Sequence, residues 1–233
     1  MDSSLHSLHS GPDVMNGEER KRLFDFYRTH SSRALVGFLK DIARSDANRE
    51  VLSAYLARRK SINCLIMGCS HWANPRNTMS FFRKFKKHID PRFTVLDALP
   101  DALAEIAEHG VDCLPLVSPA QQTPFLENYF DVIVSDCLLT CCSFDQHEPV
   151  IKEMSRVIRE KGLLILGVVH SERNSTFRMT ERPIMNYCRP FADYEEMLGR
   201  CGFISHAKSS VETRLPGEWS GMKISNSILR QMG

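Results

Sequence analysis

Asp97, Asp136 and His170 are the residues whose type and placing suit ligand or proton chemistry, and each closes an apolar run. Phe93-Thr-Val-Leu leads into Asp97, Phe130-Asp-Val-Ile-Val-Ser into Asp136, and Leu163 to Val169 into His170. Gly68 closes the run Cys64 to Met67, and Ser118 closes Cys113 to Val117. Gly68 has no Cβ, so backbone and ligand can approach closely there. The N–H groups of the turn and of the next helix then face the strand end, a place that suits an anion or a polar ligand. An acid placed like Asp97, at the end of the next strand, is where nucleotide folds hold ribose hydroxyls. Asp136 and His170 are candidates to move a proton. His170 equally reads as an ordinary satisfied histidine, and Asp136 as a helix cap.

Elements that bring strand ends together must supply this geometry. Near-continuous apolar strands at 63–67, 93–96, 113–117, 130–135 and 163–169 alternate with amphipathic helices at about 78–87, 100–109 and 149–159. Pro100 and Gly110 suit the start and stop of one helix, and Lys161-Gly162 the stop of another. Such alternation predicts a parallel sheet covered on both faces, with ligands beyond the carboxyl ends of its strands. Ser171 to Arg189 reads as a polar loop or lid between Val169 and a helix over 191–200. Asn186 and Tyr187 in it are candidate substrate contacts, and Tyr187 a candidate catalytic residue. Pro183 and Pro190 bracket the stretch Met185 to Arg189. Two last strands are expected within 203–209 and 224–229, with a turn at Pro216-Gly217.

The 233 residues allow one α/β domain with a short appendage. Residues 1–16 lack apolar periodicity and are expected to be disordered. Residues 17–60 carry helical periodicity and form an N-terminal helical cap; Tyr27 and Arg28 in it offer a hydroxyl and a cation to a substrate. Residues 61–233 form the sheet domain. A composition of 42% hydrophobic and 25% charged residues is globular, and a formal net charge of +2 gives no argument for a nucleic-acid partner. No apolar run approaches the roughly 20 residues that span a bilayer. The 8 cysteines, several inside apolar runs, and the lack of a secretory signal point to a reducing, cytoplasmic setting. Cys137, Cys141, Cys142 and His147 do not have the spacing of a zinc site, so no metal is expected.

Phe130-Asp-Val-Ile-Val-Ser-Asp136, followed by Glu153-Met-Ser-Arg-Val-Ile-Arg-Glu-Lys-Gly-Leu-Leu-Ile-Leu166, resembles the class I S-adenosylmethionine (SAM) methyltransferases. Arg189-Pro-Phe191 and Gly202-Phe203 are similar to the late helix and strand of that family. The resemblance covers residues 62 to 233. It implies a three-layer, doubly wound, mostly parallel seven-stranded sheet with helices on both faces. It implies SAM as cofactor and in-line methyl transfer to a small molecule, with no nucleic-acid or membrane partner. Residue by residue, it places Gly68, Cys69, Ser70 and His71 in the loop under the methionine part of SAM. Asp97 takes the ribose, with Ala98 and Leu99 beside adenine. Ser118 and Pro119 fall where many members contact the adenine amino group, and Asp136, Cys137 and Leu138 fall beside the sulfonium. The loop departs from the family in having one glycine, with His71 and Trp72 where small residues are usual. That departure keeps two alternatives open: a SAM-consuming cyclase similar to azetidine-2-carboxylate synthases, which releases methylthioadenosine, and a non-catalytic SAM-binding protein.

Overall fold

A computed structural model describes residues 18, 38–69, 71–85, 89–178, 185–212 and 222–232. Tyr27, Arg28, Ser70, Pro183, Pro216-Gly217 and the expected disorder over 1–16 lie outside the described residues. Apolar runs become strands: β1 (Ser61–Met67), β2 (Asp90–Asp97), β3 (Leu114–Val117), β4 (Phe130–Asp136) and β5 (Ile158–His170). Helices follow them: α2 (Ala73–Phe85), α3 (Pro100–Glu108), α4 (Phe144–Val157) and α5 (Phe191–Arg200), with α1 (Asp46–Ala57) before the sheet. Two late strands, β8 (Phe203–Glu212) and β9 (Lys223–Gln231), complete a seven-stranded sheet in the order β3-β2-β1-β4-β5-β9-β8. β1 to β5 pair in parallel, and β9 runs antiparallel between β5 and β8. Strand order reverses between β1 and β4, which opens a crevice beyond their carboxyl ends.

Two apolar layers sandwich this sheet. On one face Ile66, Val95, Val134, Ile165 and Ile228 meet Met79 and Phe82 of α2, Leu103 and Ile106 of α3, and Leu52 and Leu56 of α1. Helical residues 38–44 lie on the same face through Phe38, Leu39 and Ile42. On the other, Leu65, Ile133, Leu164 and Leu166 meet Val150, Ile151 and Met154 of α4 and Tyr194 and Leu198 of α5. Each fully buried side chain of this kind contributes about 1.5–3 kcal/mol. Ser45 caps α1 by accepting the Asn48 N–H at 3.4 Å.

Three expectations need correction. α2 starts at Ala73 rather than near Thr78, because the His71 ring accepts the Ala73 N–H at 3.1 Å and satisfies an open donor of the first turn. α4 starts at Phe144 rather than at Pro149, which lies inside the helix. A first turn packed through Phe144 and His147 outweighs the hydrogen bond that proline cannot make. The stretch expected as a loop or lid contains an antiparallel hairpin of β6 (Ser175–Arg178) and β7 (Met185–Cys188). β7 packs against the short 3-10 turn Leu138–Cys141.

Candidate active site

β1 and β2 are tied together at their carboxyl ends. Gly68 sits at φ +79° and donates its N–H to the Leu96 carbonyl at 2.8 Å. A Cβ on it would stand 2.9 Å from Leu138 Cδ1, so the loop needs glycine both for its backbone and for its packing. Asp97 is buried, and its Oδ2 accepts the Cys69 N–H at 2.8 Å and the Cys69 thiol at 3.3 Å. Its Oδ1 accepts the Leu99 N–H at 2.9 Å. These donors fix the direction of the carboxylate at the tip of β2. Burial and the neighbouring Asp97 push the Cys69 thiol well above its ordinary pKa, so it is a neutral donor and no nucleophile. Leu99 is buried in the core, and Ala98 is half-buried beside it.

His71 and Trp72 depart from the usual small residues because they join the loop to the next helix. The buried His71 ring stands with Nε2 3.8 Å from Glu105 Oε2 on α3. Trp72 stacks on His109 at 4.2 Å between ring centroids. His71 therefore acts on the loop from behind, and its ring points toward α3. After β3, the Ser118 hydroxyl lies 3.1 Å from the Gln122 carbonyl and 3.3 Å from that of Pro119, closing its own loop. Pro119 is exposed.

Asp136 ends β4 on the face that carries α1 and Phe38. It lies in register with Gly167, where a Cβ would come within 3.0 Å of Asp136 Oδ1 and 2.9 Å of the Phe38 ring. Burial pushes its carboxyl up to about 7, and a hydrogen bond with Cys137 only partly opposes this. Cys137 turns the chain at φ 56° and donates its N–H to Gly167. Leu138 covers Gly68.

One other catalytic candidate, His170, does not join Asp136. His170 lies on the opposite face, with Nε2 2.9 Å from Ser225 Oγ and its ring 5.1 Å from that of Phe191. Burial and then Lys223 hold it below its ordinary pKa, which favours the neutral ring. Tyr187 meets the Phe144 ring edge-on at 5.3 Å, and burial raises its hydroxyl. Asn186 is wholly buried beside it. Arg189 donates to the Phe144 carbonyl at 2.7 Å and to His147 Nδ1 at 3.2 Å. His147 has its Nε2 3.0 Å from the Cys142 carbonyl and is held down to about 4 chiefly by burial. The Cys142 thiol donates to the Leu138 carbonyl, and among the described residues no group of three or more His, Cys, Asp or Glu is placed to hold a metal. A cavity of about 390 Å³ between α4 and α5 is lined by charges that pair with each other, Arg200 with Glu148 and Glu196.

Sequence reasoning passed over Phe38 and Gly167. Gly167 carried a signal, since a glycine inside an apolar strand marks a close approach.

Comparison with known proteins fits this geometry. A family model described as a methyltransferase domain matches residues 77–166. Solved SAM-dependent methyltransferases share the fold of this chain. Burkholderia thailandensis 1,6-didemethyltoxoflavin-N1-methyltransferase, solved with 1,6-didemethyltoxoflavin and S-adenosylhomocysteine, superposes with a TM-score of 0.64 at 16% identity over 100% of this chain and 94% of that one. A SAM-dependent methyltransferase from Methanosarcina mazei gives 0.61 at 16% identity over 78% and 97%. The [4+2]-cyclase SpnF gives 0.59 at 15% over 79% of both chains. No curated protein sequence matches the chain significantly. The domain match supplies the activity class, a methyltransferase. Among the described residues no helix is long and apolar enough to cross a membrane.

Proposed function

We propose that this methyltransferase-fold protein moves the methyl group of SAM to a small molecule, with the reaction centred beside Asp136. The observation that carries the reading is the joint between β1 and β2. There the Cys69 N–H and Asp97 Oδ2 meet at 2.8 Å, so the glycine turn and the acid form one fixed unit on the side of the crevice where strand order reverses. In this reading Asp97 accepts the ribose hydroxyls, Gly68 and Cys69 present backbone to the methionine part, and Leu99 flanks adenine. Cys137 and Leu138 line the crevice opposite.

SAM supplies an activated methyl on its sulfonium, so the protein has to orient the acceptor, exclude water and remove a proton. Asp136 suits the last task. A carboxyl held near 7 is matched to taking a proton at neutral pH. Phe38 closes over Gly167 beside it, which supports a small acceptor rather than a macromolecular one. Tyr187 and Asn186 belong to a hairpin packed against the turn after β4, from which they support one wall of the crevice. His170 has a positioning role at most, through Ser225 on β9.

The test is product analysis after incubation with SAM and a cell-free small-molecule extract. S-adenosylhomocysteine with a methylated product supports the reading. Methylthioadenosine identifies the cyclase alternative, and unchanged SAM in a protein that binds it identifies a non-catalytic binder.

A further inference from the structure

The register of four neighbouring strands sets one row of side chains across the sheet beside the crevice. Asp136 of β4 pairs with Gly167 of β5, Gly167 with Asn226 of β9, and Asn226 with Ser209 of β8. Residues paired in this way project from the same face of a sheet. One level deeper on that face the row is Val134, Ile165, Ile228 and Ala207, all buried and all apolar. The core thus gives way to an acid, a glycine, an amide and a hydroxyl at the level where β4 ends.

This polar row is unpaid for within the described fold. Asn226 is 1% exposed, and its Oδ1 has no hydrogen-bond partner. Ser209 Oγ is sealed from solvent and also lacks one. Asn48 is 0% exposed with neither amide atom partnered, on the helix α1 that packs against β8. Buried polar atoms in native proteins are nearly always paired, so such a group calls for a ligand or water. Gly167 gives the row no side chain of its own, and the Phe38 ring and Asp136 Oδ1 close in over it, 2.9 and 3.0 Å from where a Cβ would stand.

We propose that Asp136, Asn226 and Ser209 form the docking subsite of the second substrate, and that the group seated there is an amine bearing N–H donors. The proposal rests on the reading of the crevice as a SAM site, with which it shares Asp136. Two acceptors, the Asp136 carboxylate and Asn226 Oδ1, flank Gly167 from either side. A nitrogen with two N–H groups satisfies both, whereas a hydroxyl has a single donor. The Ser209 hydroxyl extends the row and can turn to suit either a donor or an acceptor. The ring of Phe38 walls the position on one side. An amine attacks only as its free base, and the Asp136 carboxylate, held near 7 by burial, accepts the proton it must lose.

The test is calorimetric and ligand-observed NMR titration of the full chain, first with S-adenosylhomocysteine and then, at saturation, with matched probes: benzylamine against benzyl alcohol, and propylamine against 1-propanol. The expected result is saturable binding of the amines with the alcohols at least tenfold weaker. Asn226→Leu is expected to weaken amine binding at least tenfold while S-adenosylhomocysteine binds within twofold of wild type. Ser209→Val, at the edge of the row, is the second variant should Asn226→Leu fail to fold, with an expected loss of at least threefold. Alcohols that bind as well as amines, no binding of either probe, or amine binding unchanged in the variants overturns the proposal. A loss of S-adenosylhomocysteine affinity in Asn226→Leu also overturns it, because the row then serves the amino end of the cofactor. If S-adenosylhomocysteine does not bind the wild-type protein at all, it is the SAM reading that fails.

Discussion

Asp131 and Asp136 stand at opposite ends of the same strand, and their surroundings differ in every respect that matters. At the start of β4, Asp131 accepts the Asn63 N–H at 2.8 Å on one oxygen and Arg159 at 2.8 Å on the other, with Arg59 at 3.8 Å. Its backbone carbonyl takes the Tyr55 hydroxyl at 2.7 Å, and the Arg59 guanidinium lies 3.7 Å from the centre of the Tyr55 ring. At the end of β4, burial dominates Asp136, and no cation appears among the groups that set its pKa. One acid is a matched structural joint between β1, β4 and β5. The other is desolvated without a counter-charge, a state that costs stability and that a fold maintains where a reaction or ligand uses it.

The largest expected effect lies at the crevice end. Asp136→Asn should lower turnover by about 100-fold or more, in line with the loss of a positioned base. The same change should not lower stability at alkaline pH. The folded state keeps this carboxyl protonated up to about 7, while the unfolded chain releases the proton near its ordinary value of 3.8. The folded protein therefore binds more protons between those limits, and its contribution to stability falls as pH rises from about 4 to about 7. Urea denaturation of both proteins should show the variant gaining on wild type across that window and holding the gain above it. A variant that is uniformly less stable would make Asp136 a structural residue like Asp131.

The converse change comes next. Asp131→Ala leaves the Asn63 N–H and the Arg159 guanidinium without their acceptor and should cost about 2 kcal/mol of stability. The affinity for S-adenosylhomocysteine, measured below the denaturation midpoint, should stay within twofold of wild type. A large loss of affinity at full folding would break the division between the two ends.

A smaller effect concerns His147. Its folded pKa is depressed to about 4, so its contribution is present above about 6.5 and lost as pH falls through about 4. Acid unfolding monitored between pH 7 and 4 should steepen there, and His147→Gln should flatten that limb. Tyr187→Phe is expected to have the least effect, lowering turnover by about threefold with cofactor affinity unchanged, because the ring stays packed on Phe144. An equal fall in both quantities would move Tyr187 into the cofactor site.

Much of the fold is legible in the sequence because parallel strands buried on both faces must be apolar throughout, as Cys64 to Met67, Val132 to Val134 and Leu163 to Val169 are. Strand ends were legible for the same reason: Gly68, Asp97 and Asp136 are the points where each run stops. What escaped depends on contacts between distant segments. Pro149 looks like a first helical residue, yet Phe144 and His147 find partners in Tyr187, Arg189 and Tyr194 and carry the helix back by more than a turn. His71 looks like a loop residue turned to ligand, yet Glu105 and the Ala73 N–H engage its ring. The row from Asp136 to Ser209 cannot be read from one strand, since it exists only through the register of four. Asp136 and His170, both read as strand-end candidates, part on the period of two in a strand. Asp136 shares its face with Gly167, so His170, three places further along β5, faces the other way.

The central claim, that the joint between Gly68 and Asp97 is built to hold SAM, is tested most directly by calorimetric titration of S-adenosylhomocysteine into wild type and Asp97→Ala. The account predicts one site per wild-type chain and an affinity at least tenfold lower in the variant, about 1.4 kcal/mol, with the fold retained by circular dichroism. No binding to the folded wild-type protein, or the same dissociation constant in the folded variant, would contradict it.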